Sequence, residues 1–340
     1  MGRGGCRSCG VERALTEGST TVVIPAYRAE ATLPRLLASV AAGGQRPAEV
    51  IVVDDGTPGF EPCRQEGLNL RFLQVAHRGP VVARNVGWQA ATTDWVIFVD
   101  SDCTVAPGWH DAYRAAMRSC PHAGVLEGPV HETYRVGFFR HWADNRKAGR
   151  YPTANVAYRR HVLKALGGLD PVFQWGRFYF REDSDLALRA MALGPAVWVP
   201  DAVVEHHGRP ISFVRKLREA CRYALDPAFV RRHGRRALAI DGVRLGPLRI
   251  AAPRQISAVA VIGLWIAAAV WTPAVLLAAV GMVLRASFIV SREGLAWQEI
   301  PGVLLEQICE PLVMAGALGA GAVRLLISAP PPREVDIDSV

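Results

Sequence analysis

Short β-branched runs alternate with helical patterns along the first third of the chain. Helical patterns at residues 32–42 and 80–91 separate runs that are apolar almost throughout, as strands buried on both faces are. These runs are residues 21–24, 50–53, 70–75 and 95–99. The alternation predicts an α/β fold of the Rossmann-like kind, with a mostly parallel sheet and helices on both faces.

Polar and turn residues directly follow three of these predicted strands. Tyr27 closes the first run, Asp54 and Asp55 follow the second, and Asp100 and Asp102 follow the last. Ligands bind beyond the carboxyl ends of the strands in open parallel sheets. The sequence therefore predicts that several acidic side chains face one crevice.

The pattern becomes less regular in the middle of the chain. Residues 125–151 are rich in arginine, histidine and aromatic residues, and we expect an insertion that faces an acceptor. A strand is predicted at residues 154–158, a short helix at 161–166 and an amphipathic helix at 182–193. We expect the globular domain to end near Gly208.

The C-terminal part is strongly apolar. Residues 256–284 exceed the ~20 residues that one membrane-spanning helix needs, and Pro273 lies near their middle. This favours either one kinked span or a hairpin of two short helices. A further apolar stretch at residues 303–327 contains Glu306 and Arg324, which favours a helix lying at a membrane interface.

Charge supports a membrane partner. The net charge is +8, and many of the positive charges lie between Arg209 and Arg254, directly before the apolar region. Basic residues at this place are typical of a cytoplasmic juxtamembrane segment. Because no nucleic-acid-binding motif accompanies the charge, we expect no nucleic-acid partner. The oligomeric state is left open by the sequence.

The predicted organisation has five segments. They are a disordered tail (1–18), a catalytic domain (19–208), a basic juxtamembrane linker with helices (209–254), hydrophobic membrane-associated helices (255–328) and a second disordered tail (329–340). The seven cysteines have no framework spacing, which favours free thiols in a reducing compartment. Cys6 and Cys9 form a CxxC without a second pair of ligands, and the first twenty residues lack the apolar core of a signal peptide. We therefore expect the catalytic part at the cytoplasmic face of the membrane.

Asp100, Ser101 and Asp102 form the most informative short motif. Two carboxylates one residue apart at a strand end can share a hard divalent cation, and that ion can bridge the oxygens of a diphosphate. An isolated DxD is more often a solvated Asx turn. The surrounding motifs decide between the two interpretations.

Five motifs occur in a fixed order along the predicted catalytic domain. They are VVIPAY (22–27), VVDDGT (52–57), ARNVGWQAA (83–91), FVDSD (98–102) and REDSDLALR (181–189). Together they resemble the family 2 glycosyltransferases, whose nucleotide-sugar-binding fold is known as GT-A. The resemblance covers residues 21–207. It implies an inverting, metal-dependent transfer of a sugar from a nucleoside diphosphate sugar, with a UDP-sugar favoured, to a hydroxyl of an unknown lipid-linked or cell-envelope acceptor.

The resemblance also implies residue roles. The implied donor-binding residues are Pro25, Ala26, Tyr27, Asp54, Asp55, Arg84, Asn85, Asp100, Ser101 and Asn155. Asp102 matches the direct ligand of Mn²⁺ or Mg²⁺ and Asp100 its partner, while His206 or His207 matches a position that completes the metal site in some relatives. A pair of exposed histidines that closes the domain is the structural alternative for the last two. Arg84 suits a phosphate because its guanidinium donates two parallel hydrogen bonds.

Asp183 matches the family's catalytic base, and Glu182 precedes it. An inverting transfer needs a base on the acceptor side to take the hydroxyl proton. The alternative is that acids in a first helical turn only favour the helix dipole. Trp175 and the aromatic residues 178–180 before the pair either stack on a sugar ring or belong to the core.

Two other functions fit parts of the pattern. One is a non-catalytic membrane protein that uses a degenerate domain as an interaction module. The other is a sugar nucleotidyltransferase, which would require a glycine-rich loop where residues 25–34 read PAYRAEATLP. The QxxRW motif of polymer-building relatives is absent from the sequence, so we expect the addition of a single sugar.

Overall fold

A computed structural model of the protein describes residues 19–134, 143–176, 178–240, 243–245, 248–250, 272–292 and 297–328. The two predicted tails, at residues 1–18 and 329–340, lie outside these residues. So do Cys6, Cys9 and residues 251–271, which include the first part of the predicted apolar region.

The described chain alternates strands and helices through its catalytic part. The strands are β1 (Thr20–Ala26), β2 (Glu49–Asp54), β3 (Leu70–Gln74), β4 (Trp95–Phe98), β5 (Cys103–Val105), β6 (Val125–Glu127), β7 (Val130–Glu132), β8 (Val156–Arg159), β9 (Gln174–Trp175), β10 (Phe178–Tyr179), β11 (Ala196–Trp198), β12 (Val204–His206), β13 (Val243–Leu245) and β14 (Leu248–Ile250). The helices are α1 (Leu33–Ala42), α2 (Pro80–Ala90), α3 (Trp109–Ser119), α4 (Arg160–Leu166), α5 (Glu182–Ala190), α6 (Phe213–Ala220), α7 (Asp226–His233), α8 (Arg235–Ile240), α9 (Thr272–Arg292) and α10 (Ile300–Ser328).

A seven-stranded sheet with the strand order β11-β6-β8-β4-β1-β2-β3 forms the centre of the domain. Every neighbouring pair is parallel except those of β8, which runs antiparallel to both β4 and β6. The α/β class and the mostly parallel sheet are thus confirmed. Strands β6 and β7 fall within the stretch that the sequence analysis expected to be irregular, because three-residue strands carry too little periodicity to be recognised.

Both faces of the sheet are covered, as the continuous apolar strands require. Alternate residues of β1 point to opposite faces. Val22 and Ile24 pack with Leu36 of α1, whereas Val23 packs with Val81 of α2 on the other side. These side chains are all fully buried, and this double burial stabilises the sheet.

The compact body continues past Gly208 into the segment predicted as a basic linker. Phe229 of α7 packs with Phe173 in a small core of its own. Asp185 of α5 is fully buried and receives Arg232 at 2.9 Å and His233 at 2.8 Å from α7. Some of the basic residues in this segment therefore hold it to the catalytic domain.

Helix α10 contacts the catalytic part and is also long and apolar. Residues 300–324 have the length and composition of a membrane span, with 33% of their most apolar window buried in the protein. Met314 packs against Ala220 and Tyr223 beside α6, and Glu306 lies 3.7 Å from Lys216. Interfacial placement of this helix remains our prediction, since no bilayer accompanies the chain.

The described part of helix α9 starts at Thr272 and includes Pro273. The sequence analysis had placed this proline near the middle of an apolar stretch. Several large apolar side chains of α9 are exposed, including Leu284 and Phe288. An exposed apolar face of this kind is typical of a surface that meets lipid or another protein.

Candidate active site

The carboxyl ends of β1, β2 and β4 meet at one edge of the sheet. The register pairs Pro25 with Val53 and Ala26 with Asp54, and Tyr27 follows directly. Pro25 has no backbone N–H to donate to a neighbouring strand. Because the pairing of β1 with β4 ends at Val23, β4 does not require a hydrogen bond from this position, and the strand tolerates the proline. Pro25 and Ala26 are buried, while Tyr27 is 40% exposed.

Asp54 and Asp55 hold the loops at this edge. Asp55 accepts backbone hydrogen bonds from Arg78 at 2.8 Å and Gly79 at 2.9 Å, and His77 lies 3.0 Å from the same carboxylate. Asp54 accepts from the backbone of Thr57 at 3.0 Å, while its Oδ1 atom is buried without a partner within the described residues. Both acids therefore shape the crevice.

A ring pair lies beside these acids. The imidazole of His77 stacks on Tyr27 with 4.1 Å between ring centroids. The sequence analysis did not select His77, although it follows the end of β3, as the selected acids follow β2 and β4. The same rule about strand ends would have found it.

Arg84 of α2 binds the carboxylate of Asp100 at the end of β4. Its Nη2 atom donates to Asp100 at 2.5 Å, and the side chain is almost fully buried. Burial alone would lower the pKa of this guanidinium, but the charges of Asp100 and Glu182 raise it. The Nε and Nη1 atoms of Arg84 have no partner within the described residues. These two donors can serve an oxygen-rich ligand such as a phosphate.

Asp102 faces His206 rather than Arg84. In the small sheet β5-β12-β7, the register places His206 opposite Glu132 on one side and opposite Cys103 on the other. Its Nε2 atom lies 3.5 Å from Asp102 and its Nδ1 atom 2.8 Å from Glu132. Burial alone would lower the pKa of His206, but the two carboxylates raise it to about 10.

The residues at this point fit a divalent cation that is shared with a substrate. Asp102 offers a carboxylate that is 40% exposed, and the Nε2 atom of His206 beside it would offer a lone pair once the imidazolium gives up a proton to a binding metal. No closed cluster of three or more His, Cys, Asp or Glu ligands occurs within the described residues. Mg²⁺ is commonly held by one or two carboxylates together with substrate phosphates and water, so an open donor set is suitable. Asp100 is engaged by Arg84 instead.

Three other predicted site residues use their polar atoms inside the protein. His207 has Thr104 at 2.8 Å and Thr133 at 3.0 Å from its two ring nitrogens. The fully buried amide of Asn155 accepts from Trp109 and Tyr113 and donates to two backbone carbonyls. The amide of Asn85 joins α2 to Leu169. Ser101 lies in the turn between the two acids of the motif.

Glu182 and Asp183 begin α5 with unusual backbone and electrostatic features. Arg181, directly before them, has a φ of 72°, a left-handed conformation that a non-glycine residue adopts at a cost. Its side chain is held by Asp226 at 2.8 Å. Burial, reinforced by the charge of Asp183, raises the pKa of Glu182 to about 8, and burial also raises that of Asp183.

One cavity of about 860 Å³ joins these groups. Arg84 and Asp100 line it together with Glu182 and Asp183, so the structure brings the predicted base into the same space as donor-side residues. The aromatic residues 178–180, expected either to stack on a sugar ring or to belong to the core, also line this cavity. The sequence analysis did not select the arginines that line it, namely Arg150, Arg215, Arg218 and Arg222.

Comparison with known proteins agrees with this geometry. Residues 21–183 match the family described as glycosyl transferase family 2. The chain carries a family 2 glycosyltransferase domain. The matched residues run from β1 to Asp183, so the family-defining part contains the strand-end acids, Arg84 and the first turn of α5.

Two curated proteins of Mycobacterium tuberculosis resemble this glycosyltransferase domain. A pre-mycofactocin glycosyltransferase is 30% identical over 221 residues, which cover 56% of this chain and 43% of that protein. An N-acetylglucosaminyl-diphospho-decaprenol L-rhamnosyltransferase is 29% identical over 239 residues, 55% of this chain and 75% of that protein. This chain thus spans less than half the length of the first relative.

A solved structure shares the fold. The mannosyltransferase PcManGT from Pyrobaculum calidifontis, in complex with GDP-Man and Mn²⁺, superposes with a TM-score of 0.53 and 17% sequence identity. The superposition covers 92% of this chain and 88% of that protein. At this identity the likeness concerns the fold, which is the GT-A fold.

Proposed function

We propose that this protein is an inverting glycosyltransferase that moves one sugar from a nucleoside diphosphate sugar to an acceptor hydroxyl. A UDP-sugar is the favoured donor, and Mn²⁺ or Mg²⁺ is the proposed cofactor. The observation that carries the proposal is the shared cavity, in which Glu182 and Asp183 lie with Arg84 and Asp100. Base and donor-side groups are both needed for transfer, and this cavity contains both.

The proposed step uses three groups of this chain. Asp183 accepts the proton of the acceptor hydroxyl while that oxygen forms a bond to the anomeric carbon of the sugar. The bond between this carbon and the diphosphate oxygen breaks, and the nucleoside diphosphate leaves from the opposite face. Arg84 offers two free donors to the phosphate oxygens. A divalent cation held by Asp102 and His206 would neutralise further charge on the leaving group.

The nucleoside is proposed to bind at the edge formed by Tyr27, Asp54 and Asp55. The exposed Tyr27 ring, already stacked on His77, offers an aromatic surface to a base. The relatives named above act in glycosyl transfer, and PcManGT binds GDP-Man with Mn²⁺, which supports a nucleotide-sugar donor and a metal here. The sugar and the acceptor are left to experiment.

We further propose that the protein works at the cytoplasmic face of a membrane. The length and composition of α10 and the exposed apolar side chains of α9 and α10 support attachment to lipid. In this arrangement residues 19–208 form the catalytic domain, α6 and α7 extend it and line its cavity, residues 209–254 lead on to the apolar helices, and residues 255–328 attach the protein to the membrane.

A panel of UDP-, GDP- and TDP-sugars tests the donor proposal directly. The full chain in detergent should be stabilised thermally by at least one of these donors or its nucleoside diphosphate, and more strongly with Mn²⁺ than with EDTA. Absence of any nucleotide-dependent stabilisation in the presence of Mn²⁺ would contradict the proposal.

The Asp183→Asn variant tests the base. It should bind the stabilising nucleotide as the wild type does and lose turnover by a factor of ~10² or more, because a positioned base contributes this much. The matched control is Asp201→Asn, which removes an exposed carboxylate in a turn outside the cavity. Equal activities of the two variants would show that Asp183 is not the base.

A further inference from the structure

A row of arginines on α6 and the turn after it lines one wall of the active-site cavity. Arg215, Arg218 and Arg222 are three and four residues apart and thus lie on one face of the helical segment. Arg150 lines the same cavity from the loop before β8. We call these four residues the arginine rim.

The charge of the rim is only partly neutralised inside the protein. Arg215 lies 3.5 Å from Glu219, whereas Arg150 and Arg218 are exposed and form no ion pair within the described residues. The Nε atom of Arg222 is buried without a hydrogen-bond partner in the same part of the chain. A wall of guanidinium groups with free donors suits an anion with several oxygens.

The rim shares its cavity with the proposed base and with two donor-side residues. Asp183, Arg84 and Asp100 all line it, whereas Asp54, Asp55 and Asp102 are not among its described lining residues. The rim comes from α6, the turn after it and the loop before β8, and the donor-side groups come from α2 and the end of β4. Because the base must face the acceptor, an acceptor beside Asp183 lies in a space that the rim lines.

The same helical segment also connects the rim to the apolar helix. Lys216 of α6 lies 3.7 Å from Glu306 of α10, and Tyr223 packs with Met314. Lys216, Ala220 and Tyr223 thus lie against α10, while the arginines line the cavity together with Glu219. The rim is therefore carried by the segment that joins the catalytic part to the apolar helix.

We propose that the arginine rim binds a phosphate or diphosphate group of the acceptor and thereby places the acceptor hydroxyl beside Asp183. This inference rests on the proposed glycosyl transfer and names the chemical class of its acceptor. The phosphate belongs either to a membrane-bound lipid carrier or to a soluble acceptor, and the binding experiment distinguishes these two sources.

The experiment uses the full chain in detergent and three probes, namely farnesyl diphosphate, inorganic pyrophosphate and farnesol. Binding is measured calorimetrically with EDTA present, so that no metal bridges a diphosphate in the donor crevice. The double variant Arg215→Ala/Arg218→Ala and the charge reversal Arg218→Glu should lower the affinity for farnesyl diphosphate about tenfold or more. The matched control Arg231→Ala removes an exposed arginine that does not line the cavity and should bind as the wild type does.

The probes identify the source of the phosphate. Rim-dependent binding that is much tighter for farnesyl diphosphate than for pyrophosphate supports a lipid-linked acceptor. Equal rim-dependent affinities for the two diphosphates support a soluble phosphorylated acceptor. Farnesol binding as tightly as farnesyl diphosphate would overturn the proposal, because recognition would then not involve the phosphates.

Two further measurements separate this inference from other roles of the rim. If the rim variants weaken UDP binding with Mn²⁺ as much as farnesyl diphosphate binding, the rim serves the donor and the inference fails. It also fails if the variants lose binding to phosphatidylglycerol-containing vesicles yet keep their affinity for farnesyl diphosphate. If the wild type binds no nucleotide at all, the proposed glycosyl transfer itself fails, and that result is independent of the rim.

Discussion

The imidazole of His206 lies 2.8 Å from the carboxylate of Glu132, and both side chains are buried. Glu132 also accepts hydrogen bonds from the backbone of Tyr134, Ala143 and Gly208. Burial would raise the pKa of Glu132, but the hydrogen bond from His206 and those from Tyr134 and Ala143 lower it. Glu132 thus fixes the ring so that its other nitrogen faces Asp102.

We predict from this relationship that Glu132→Gln weakens metal binding. The partner of a ligating histidine sets its tautomer and orientation, and such partners are commonly worth 10–100-fold in metal affinity. Titration of Mn²⁺ followed by electron paramagnetic resonance, with a nucleoside diphosphate present, should give a loss of about that size. Glu205→Gln is the control, because Glu205 is the exposed neighbour of His206 in the same strand. Unchanged Mn²⁺ affinity in a folded Glu132→Gln protein would exclude this positioning role.

The pH dependence of turnover should report the acidic pair at the start of α5. Burial raises the pKa of both carboxyls, and that of Glu182 reaches about 8. Because the base Asp183 must have lost its proton, kcat/KM should fall as the pH drops through the raised pKa of Asp183, at a higher pH than an ordinary aspartate would give. Burial raises the pKa of Asp183, so Glu182→Gln should leave this acidic limb in place. A limb that moves to lower pH in this variant would show that Glu182, and not Asp183, controls it.

The buried Asp185 should be important for stability and not for chemistry. It receives Arg189 of the same helix at 2.7 Å, and Arg232 at 2.9 Å and His233 at 2.8 Å from α7, so the last two contacts join α5 to α7. Asp185→Asn removes the negative charge that Arg189 and Arg232 share, which should lower the free energy of unfolding by about 3 kcal/mol. Denaturant melts of this variant and of the exposed control Asp201→Asn provide the comparison. Similar stabilities for the two variants would refute the structural role.

Gly321 should be essential for the contact between α10 and the catalytic part. A Cβ atom at this position would collide with the backbone carbonyl of Ala224, whereas a Cβ at Gly319 meets open space. Gly321→Val should therefore destabilise the contact by about 1–3 kcal/mol and increase cleavage between the two parts in limited proteolysis. Gly319→Val, on the same helix, should be cleaved at the wild-type rate. Equal cleavage rates would contradict the packing of α10 against Ala224.

Sequence pattern was sufficient for the α/β class, because strands buried on both faces must be apolar throughout and their helices must cover both sides. It also identified the strand-end acids, since parallel strands end at a common edge. The family-defining motifs lie within this part. The pattern did not predict the three-residue strands β6 and β7. It also did not predict that α6 and α7 pack on the catalytic part, because their basic residues have the composition of a membrane linker. Only the structure shows that Asp185 pairs with two of these basic residues.

Residue chemistry alone therefore determined the sheet, its helices and the edge at which acidic groups gather. Only the tertiary structure decided that His206 and not His207 faces Asp102, that Asn155 is enclosed by internal hydrogen bonds, and that the arginine rim shares a cavity with Asp183. The physical reason is the sequence separation of the contacts. Periodicity indicates which side of its own helix or strand a residue faces, whereas these contacts join residues that are far apart along the chain.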